Sequence, residues 1–148
     1  MAITQAMCTS FKQELLTAGH NFAAAGGSTF NLALFRDTAS IVGTFGAGTT
    51  NYSDMGADEA SGTNYVAGGA ALTNIDPTSS GTTAFTDFQD LTFSNVTLTT
   101  SGCLIYNTSL GNAAVGVFNF GGDIVKSASD LVIQFPNADA VNAVIKIA

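Results

Sequence analysis

After residue 29 the chain is a succession of short apolar runs separated by Gly, Ser, Thr and Asn. In residues 30–36, Phe30, Leu32 and Leu34 alternate with Asn31 and Ala33, the period of two that places one face of a strand inward. Further strand candidates are residues 71–75, 91–99, 103–107, 115–120, 131–135 and 143–147. Short strands separated by turn residues predict a mainly β fold, an antiparallel sandwich or barrel-like domain.

Two local features refine this prediction. Residues 108–112 separate two strand candidates and contain Gly111 and Asn112, which both tolerate a positive φ, so the flanking runs are expected to form a hairpin. Within residues 91–98 the large apolar residues move from odd to even positions. This shift predicts a bulge or break near Ser94 and Asn95.

The first twenty residues have a different pattern. Ile3, Met7, Phe11 and Leu15 recur every four residues, which is typical of an amphipathic helix. With Thr4 as a cap and Gly19 as a stop signal, the prediction is one N-terminal helix over residues 5–18.

Two segments lack a clear period and are predicted to be long loops. They lie near residues 37–63 and 76–90 and are rich in Gly, Thr, Ser and Asp. Long irregular insertions in a compact domain are usually functional or disordered. With 148 residues the chain has room for one core, so we expect residues 1–148 to form a single domain, with the β-domain spanning residues 30–148.

Charge restricts the partners of this chain. Only 10% of the residues are charged, and the net charge is -7 because Lys12, Arg36, Lys126 and Lys146 are the only basic residues besides one histidine. Nucleic acid and anionic membrane surfaces are therefore disfavoured as partners. A surface of neutral polar residues is suited to burial against another protein.

Targeting and cysteine content point to a reducing compartment. No apolar run reaches the roughly 18 residues of a membrane span, and the start lacks the pattern of a signal peptide, so we expect synthesis and folding in a cytosol. Cys8 and Cys103 then fit as two reduced structural thiols, with a disulfide between them as the alternative.

No residue pattern predicts catalysis, and the expectation is that the protein is not an enzyme. The single histidine, His20, has no nucleophile placed beside it by the sequence, and is interpreted as a capping or surface imidazole. The acids Asp54, Asp58 and Glu59 lack calcium-loop spacing and are interpreted as a decorated turn. Catalytic, cofactor and metal sites are therefore all expected to be absent.

Six segments together resemble one family of proteins. They are residues 10–22 (SFKQELLTAGHNF), 30–34 (FNLAL), 61–72 (SGTNYVAGGAAL), 102–107 (GCLIYN), 118–123 (FNFGGD) and 133–136 (IQFP). The chain resembles, over nearly its whole length, the small β-rich virion structural proteins of tailed bacteriophages. These motifs are turns and strand ends, so they indicate a type of protein more strongly than a task.

The resemblance implies a role on the virus particle. The leading expectation is a capsid decoration or cement protein that binds the major capsid protein in many copies and stabilises the shell. Self-association, for example as a trimer, and location in a virion assembled in the host cytoplasm are implied as well. The alternatives are a tail, tail-tip or head-tail joining protein and, less favoured, a soluble binding module or an unrecognised enzyme.

Five apolar residues are the predicted contacts with partners. Phe45, Tyr52 and Met55 lie on the first predicted loop, and Phe11 and Leu15 lie on the predicted helix. For both groups the alternative is packing onto the core of the same chain, which is the commoner fate of an apolar helix stripe.

Overall fold

The computed structural model describes residues 3–38 and 43–148. In these residues the helices and strands are, in chain order, β1 (Ala6–Met7), α1 (Thr9–Leu16), β2 (Phe30–Phe35), a 3-10 helix (Tyr52–Asp58), β3 (Ala70–Ala71), β4 (Asn74–Ser80), β5 (Thr83–Phe88), β6 (Leu91–Asn107), a second 3-10 helix (Thr108–Leu110), β7 (Ala113–Ile133) and β8 (Ile145–Ile147).

The strands form two antiparallel sheets. One has five strands in the order β1-β7-β6-β2-β3, and the other has three in the order β4-β5-β8. Phe30 and Leu104 of the first sheet share one buried cluster with Phe88 and Ile145 of the second. The fold is therefore mainly β, antiparallel and sandwich-like with one N-terminal helix, as the strand pattern predicts. Each sheet ends in open edges, so the structure is not a closed barrel.

Aromatic rings connect α1 to both sheets. The rings of Phe22 and Phe30 stack with centroids 4.5 Å apart, and Phe88 of β5 meets Phe30 at 5.5 Å. Phe11 of α1 packs edge-on against Phe22 at 6.0 Å and has no exposed surface. Burial of such large rings is the main source of stability in a core of this kind, so this cluster fixes α1 to the sandwich.

The predicted hairpin at residues 108–112 is confirmed. Gly111 and Asn112 both have positive φ, 57° and 66°, and the Asn107 side chain accepts a hydrogen bond from the Ser109 N–H at 2.9 Å. The predicted break near Ser94 and Asn95 is confirmed as well. The register of β6 and β7 shifts between Phe93 and Val96, and Asn95 has a φ of 50°.

Four of the predicted strands are parts of two much longer ones. Residues 91–99 and 103–107 belong to the single strand β6. Residues 115–120 lie within β7, and of residues 131–135 the first three form its end. The polar residues between the predicted strands also belong to β6 and β7, because the backbones of these two strands are hydrogen-bonded to each other there. The register shifts where the side-chain pattern breaks. Two-strand pairing thus extends well beyond the apolar runs.

The predicted helix over residues 5–18 is too long at both ends, since α1 ends at Leu16 and Ala18 has a φ of 57°. Ala6 and Met7 instead form β1, paired with Val117 and Gly116 of β7, and α1 begins at Thr9. Thr4 does not cap the helix, because the N-cap position is occupied by Cys8, and the Thr4 N–H donates instead to the Phe45 carbonyl. Pairing with β7 satisfies the backbone of this segment, and that tertiary interaction overrides the four-residue apolar repeat.

The predicted loop near residues 76–90 is wrong. Residues 74–88 form the hairpin of β4 and β5, with Gly81 at a φ of 58° in the turn. Pro77 is accommodated because it lies at a register shift on β4, the outermost strand of its sheet. The first loop, near residues 37–63, is largely irregular but contains the 3-10 helix Tyr52–Asp58, and its residues 39–42 lie outside the described residues.

The strands predicted at residues 71–75 and 143–147 are confirmed only in part. Residues 71–75 are divided between the end of β3 and the start of β4, and in residues 143–147 only Ile145–Ile147 forms a strand.

Candidate functional site

The predicted contact residues lie mostly in the core. Phe11, Phe45 and Met55 are 0%, 5% and 1% exposed, and the ring of Phe45 packs on Phe35 with centroids 4.3 Å apart. They have almost no surface to offer a partner. Leu15 and Tyr52 are partly exposed and pack against the core. The core-packing alternative therefore describes this set better than a contact surface, because the loop folds back over the sheet.

His20 is a buried residue and not a surface imidazole. Its Nε2 lies 2.7 Å from a carboxylate oxygen of Glu14, its Nδ1 lies 3.0 Å from the side-chain nitrogen of Asn107, and its ring meets Phe11 edge-on. These contacts join the end of α1 to the end of β6. The earlier interpretation as a surface or capping group is thus corrected to a buried polar contact between two elements.

Glu59 is the centre of a polar cluster. Its Oε1 accepts hydrogen bonds from the Tyr65 hydroxyl at 2.8 Å and from the Gly68 N–H at 2.7 Å, and its Oε2 accepts one from the Tyr52 hydroxyl at 2.5 Å. The Tyr65 oxygen also accepts the Leu34 N–H at 2.9 Å. Burial, helped by the bonds to Glu59, raises the pKa of Tyr52 and Tyr65, so both remain protonated donors.

The neighbouring acids also bond within the chain. Asp54 accepts bonds from the N–H and hydroxyl of Thr50 and from the Asn51 N–H, as part of a capping box at the 3-10 helix. Burial opposes ionisation of Asp54, but these bonds outweigh it and lower its pKa. Asp58 accepts the Gly43 N–H. In residues 3–38 and 43–148 no three acids, histidines or cysteines are grouped as metal ligands.

Asp87 and the two cysteines are buried within the fold. Asp87 accepts the N–H groups of Phe88 and Val144 and so ties β5 to the chain before β8, while burial raises its pKa. Cys8 and Cys103 are both free thiols, and burial raises the pKa of Cys8 to about 11. High thiol pKa values mean little thiolate at neutral pH, as expected for structural cysteines.

One open surface is the outer edge of β7, defined here as residues 120–130. β1 pairs with β7 only at Gly116 and Val117, and beyond Asn119 the outer edge has no strand partner in the described part of the chain. Side chains along it are mostly exposed, including Val125 at 70%. An open strand edge presents unpaired N–H and C=O groups to a partner.

The second open surface is a groove between α1 and β8, defined here as the α1–β8 groove. It has a volume of about 300 Å³ and is lined by Met7, Lys12, Leu15, Leu16, Ile145, Lys146 and Ile147. Leu16 is 89% and Ile147 62% exposed. β8 pairs with β5 on one side and, among the described residues, with no strand on the other. The groove therefore combines exposed apolar side chains with an open strand edge.

The outer edge of β7 is not predicted from the sequence, because residues 121–130 carry few large apolar residues and show no strand pattern. Of the residues that line the groove, only Leu15 is among the predicted contacts. Leu16 did give a signal, since it stands beside Leu15 but outside the stripe of Ile3, Met7, Phe11 and Leu15. A large apolar residue off the buried stripe of a helix faces solvent or a partner.

Comparisons of the chain with protein-family models, with curated proteins and with solved structures found no significant match. Of the helices in the described residues, none has the length and apolar character needed to cross a bilayer.

Proposed function

We propose that this chain is a structural protein of a bacteriophage particle, and specifically a capsid decoration protein that binds the major capsid shell in many copies. The observation that carries the proposal furthest is the outer edge of β7, an exposed strand edge with neutral or small side chains at most positions. Such an edge is a ready site for main-chain pairing within an assembly, either with a shell subunit or with a second copy of this chain.

Charge supports an assembly role. The charged side chains make up 10% of the chain, so extended contacts can be buried without desolvating many ions. On a symmetric shell each weak contact is repeated many times, and the sum of these contacts resists internal pressure.

Three buried or partly buried titratable groups support the same proposal. His20, Glu59 and Asp87 each bond to groups that join separate elements of the fold. The hydrogen bonds of these three side chains are explained by a structural role, because each holds two parts of the fold together. The sequence resemblance to small virion proteins then supplies the setting in which a stable sandwich with open edges acts.

Copy number tests the proposal. Quantitative mass spectrometry would compare this protein with the major capsid protein in purified full particles and in tailless heads, with a known tail protein as the internal control. A decoration protein is present at a similar ratio in both samples and approaches the copy number of the capsid protein. A low copy number that disappears with the tail would make it a tail or head-tail joining component, and absence from both samples would contradict a virion role.

A further inference from the structure

We propose that copies of this chain associate head to tail, with the outer edge of β7 of one copy seated in the α1–β8 groove of the next. The inference comes from the surfaces of this chain alone and holds whether or not the protein belongs to a capsid. Its failure would therefore leave the copy-number test of the proposed function untouched.

The two surfaces match first in their backbones. Both the outer edge of β7 and the free side of β8 have unpaired main-chain groups in the described residues. β8 is only three residues long, and within residues 3–38 and 43–148 its one strand partner is β5. A strand added beside β8 would complete its hydrogen bonding and extend the small sheet from three strands to four, which is the strand-addition mode of recognition.

The surfaces also match in apolar character. Val125 is 70% exposed on the edge, and Leu16 and Ile147 are 89% and 62% exposed in the groove. A second depression of about 130 Å³ beside the groove is lined by Phe22, Phe85 and again Ile147, so the apolar surface continues beyond the first. Covering these side chains together removes apolar area from water.

Charge distinguishes the proposed partner. Lys12 and Lys146, two of the four lysines and arginines in a chain of net charge -7, line the groove. The edge carries Asp123 and Asp130 with Lys126 between them, a net charge of -1, and each of the two carboxylates also accepts one hydrogen bond from β6, from Ser101 and Asn95 respectively. A positive groove and a negative edge attract each other.

Charge also disfavours a two-fold contact through β8. Antiparallel pairing of Ile145–Ile147 with its own copy about the middle residue would place Lys146 directly opposite Lys146, and like charges in opposed positions are destabilising. Different surfaces on the two partners avoid this repulsion. A contact of this head-to-tail kind closes into a ring or extends as a filament, according to the rotation between neighbours.

Paired variants test the contact. Val125→Lys places a positive charge on the edge, against the groove lysines, and Leu16→Asp places a negative charge in the groove, against the edge aspartates. Both positions are exposed, so the fold should persist, and circular dichroism with a thermal melt checks this. Val66→Lys, at a position that is 76% exposed and outside both surfaces, is the matched control.

Sedimentation velocity then measures mass. The wild type and Val66→Lys are expected to form oligomers of the 15.0 kDa chain, and each of the other two variants is expected to be a monomer. An equal mixture of Val125→Lys and Leu16→Asp retains one intact edge and one intact groove, and it places the new lysine opposite the new aspartate at the other contact, so dimers or larger assemblies should reappear in the mixture. A monomeric wild type, unchanged oligomers in either variant, or a mixture that stays monomeric would overturn the proposal.

Disulfide cross-linking gives a second test, one that does not require a variant to break the contact between copies. Val125→Cys and Ile147→Cys proteins, mixed and mildly oxidised, should form a disulfide-linked dimer, whereas each alone should not. The native thiols Cys8 and Cys103 are buried, which keeps the background low. Cross-linking of Val125→Cys with itself, or none in the mixture, would contradict the head-to-tail contact.

Discussion

Replacing Tyr65 with phenylalanine removes one oxygen that has two hydrogen-bond partners. That oxygen donates to Glu59 at 2.8 Å and accepts the Leu34 N–H at 2.9 Å, where Leu34 belongs to β2, an interior strand of the five-stranded sheet. The variant therefore removes one of the hydrogen bonds to the Glu59 carboxylate, and it leaves the Leu34 N–H of β2 without its partner. The ring itself keeps its contact with Phe93, so the effect isolates the hydroxyl.

The expected loss follows from the two bonds. A hydrogen bond to a charged group contributes about 1.5–3 kcal/mol, and a buried donor left unsatisfied costs about 1–3 kcal/mol. Glu59 keeps its bonds from Tyr52 and Gly68, and Tyr65 is only partly buried, so we expect a total near 3 kcal/mol, at the lower part of the summed range. For a chain of this size, this loss lowers the melting temperature by about 6–12 °C.

Urea unfolding measures this loss, and Tyr106→Phe is the matched control. The Tyr106 hydroxyl donates to the Gly68 carbonyl at 2.7 Å and accepts a long bond from the Asn31 side-chain nitrogen at 3.5 Å. Both partners are neutral, so its removal should cost about 1–2 kcal/mol, less than the loss expected for Tyr65→Phe. Combining Tyr65→Phe with Glu59→Gln should cost less than the sum of the single variants, because both remove the same bond. A Tyr65→Phe protein no less stable than Tyr106→Phe would refute the reasoning.

Two further predictions concern the core and the carboxyl groups. Phe11→Ala should lower the free energy of unfolding by about 3–5 kcal/mol because a fully buried ring is lost, whereas Leu16→Ala, at an exposed position, should change it by less than about 0.5 kcal/mol in the same urea experiment. Asp54 has a lowered pKa, so its ionised form contributes stability that is present above its ordinary value of 3.8 and is lost as the pH falls through its folded pKa. The cost of Asp54→Asn should therefore be largest at neutral pH and shrink in acid. Asp87 has a raised pKa and should behave in the opposite way: the stability it contributes is full below 3.8 and declines as the pH rises through its folded pKa, so the cost of Asp87→Asn should fall with rising pH. Urea titrations at a series of pH values test both, and parallel pH profiles for the two variants would contradict these assignments.

Local patterns in the sequence were sufficient to predict the structure of segments whose conformation depends mainly on their own residues. The alternation in residues 30–34 predicted β2, and Gly111 with Asn112 predicted the turn between β6 and β7. The change of apolar parity near Asn95 predicted the register shift. In each case the side-chain period or the tolerance of positive φ acts over a few residues, so no distant partner is needed to read it.

Predictions failed where a distant strand supplies the hydrogen bonds. Met7 fits the apolar repeat of a helix, yet it lies in a strand because β7 is beside it. Residues 121–130 have little apolar pattern, yet they are held in β7 by pairing with β6. Sequence periodicity reports which side chains avoid water and does not report which backbone is near.

The candidate surfaces show the same division. Phe45 and Met55 were recognisable as apolar residues on a weakly patterned segment, but only the folded chain shows that they turn inward and cover the sheet. Leu16 and Ile147 remain outside, beside a strand edge that no other part of the described chain pairs with.

By itself the sequence determined the class of the fold, its single N-terminal helix, one tight hairpin and a surface with few charges. These properties depend on composition and on short-range side-chain period. The tertiary structure decided the length of the β6–β7 pair, the burial of His20, the hydrogen bonds that Glu59 accepts, and the position of the open edges. These depend on contacts between residues far apart in the chain, such as His20 with Asn107, which form only when the segment after α1 packs against the end of β6.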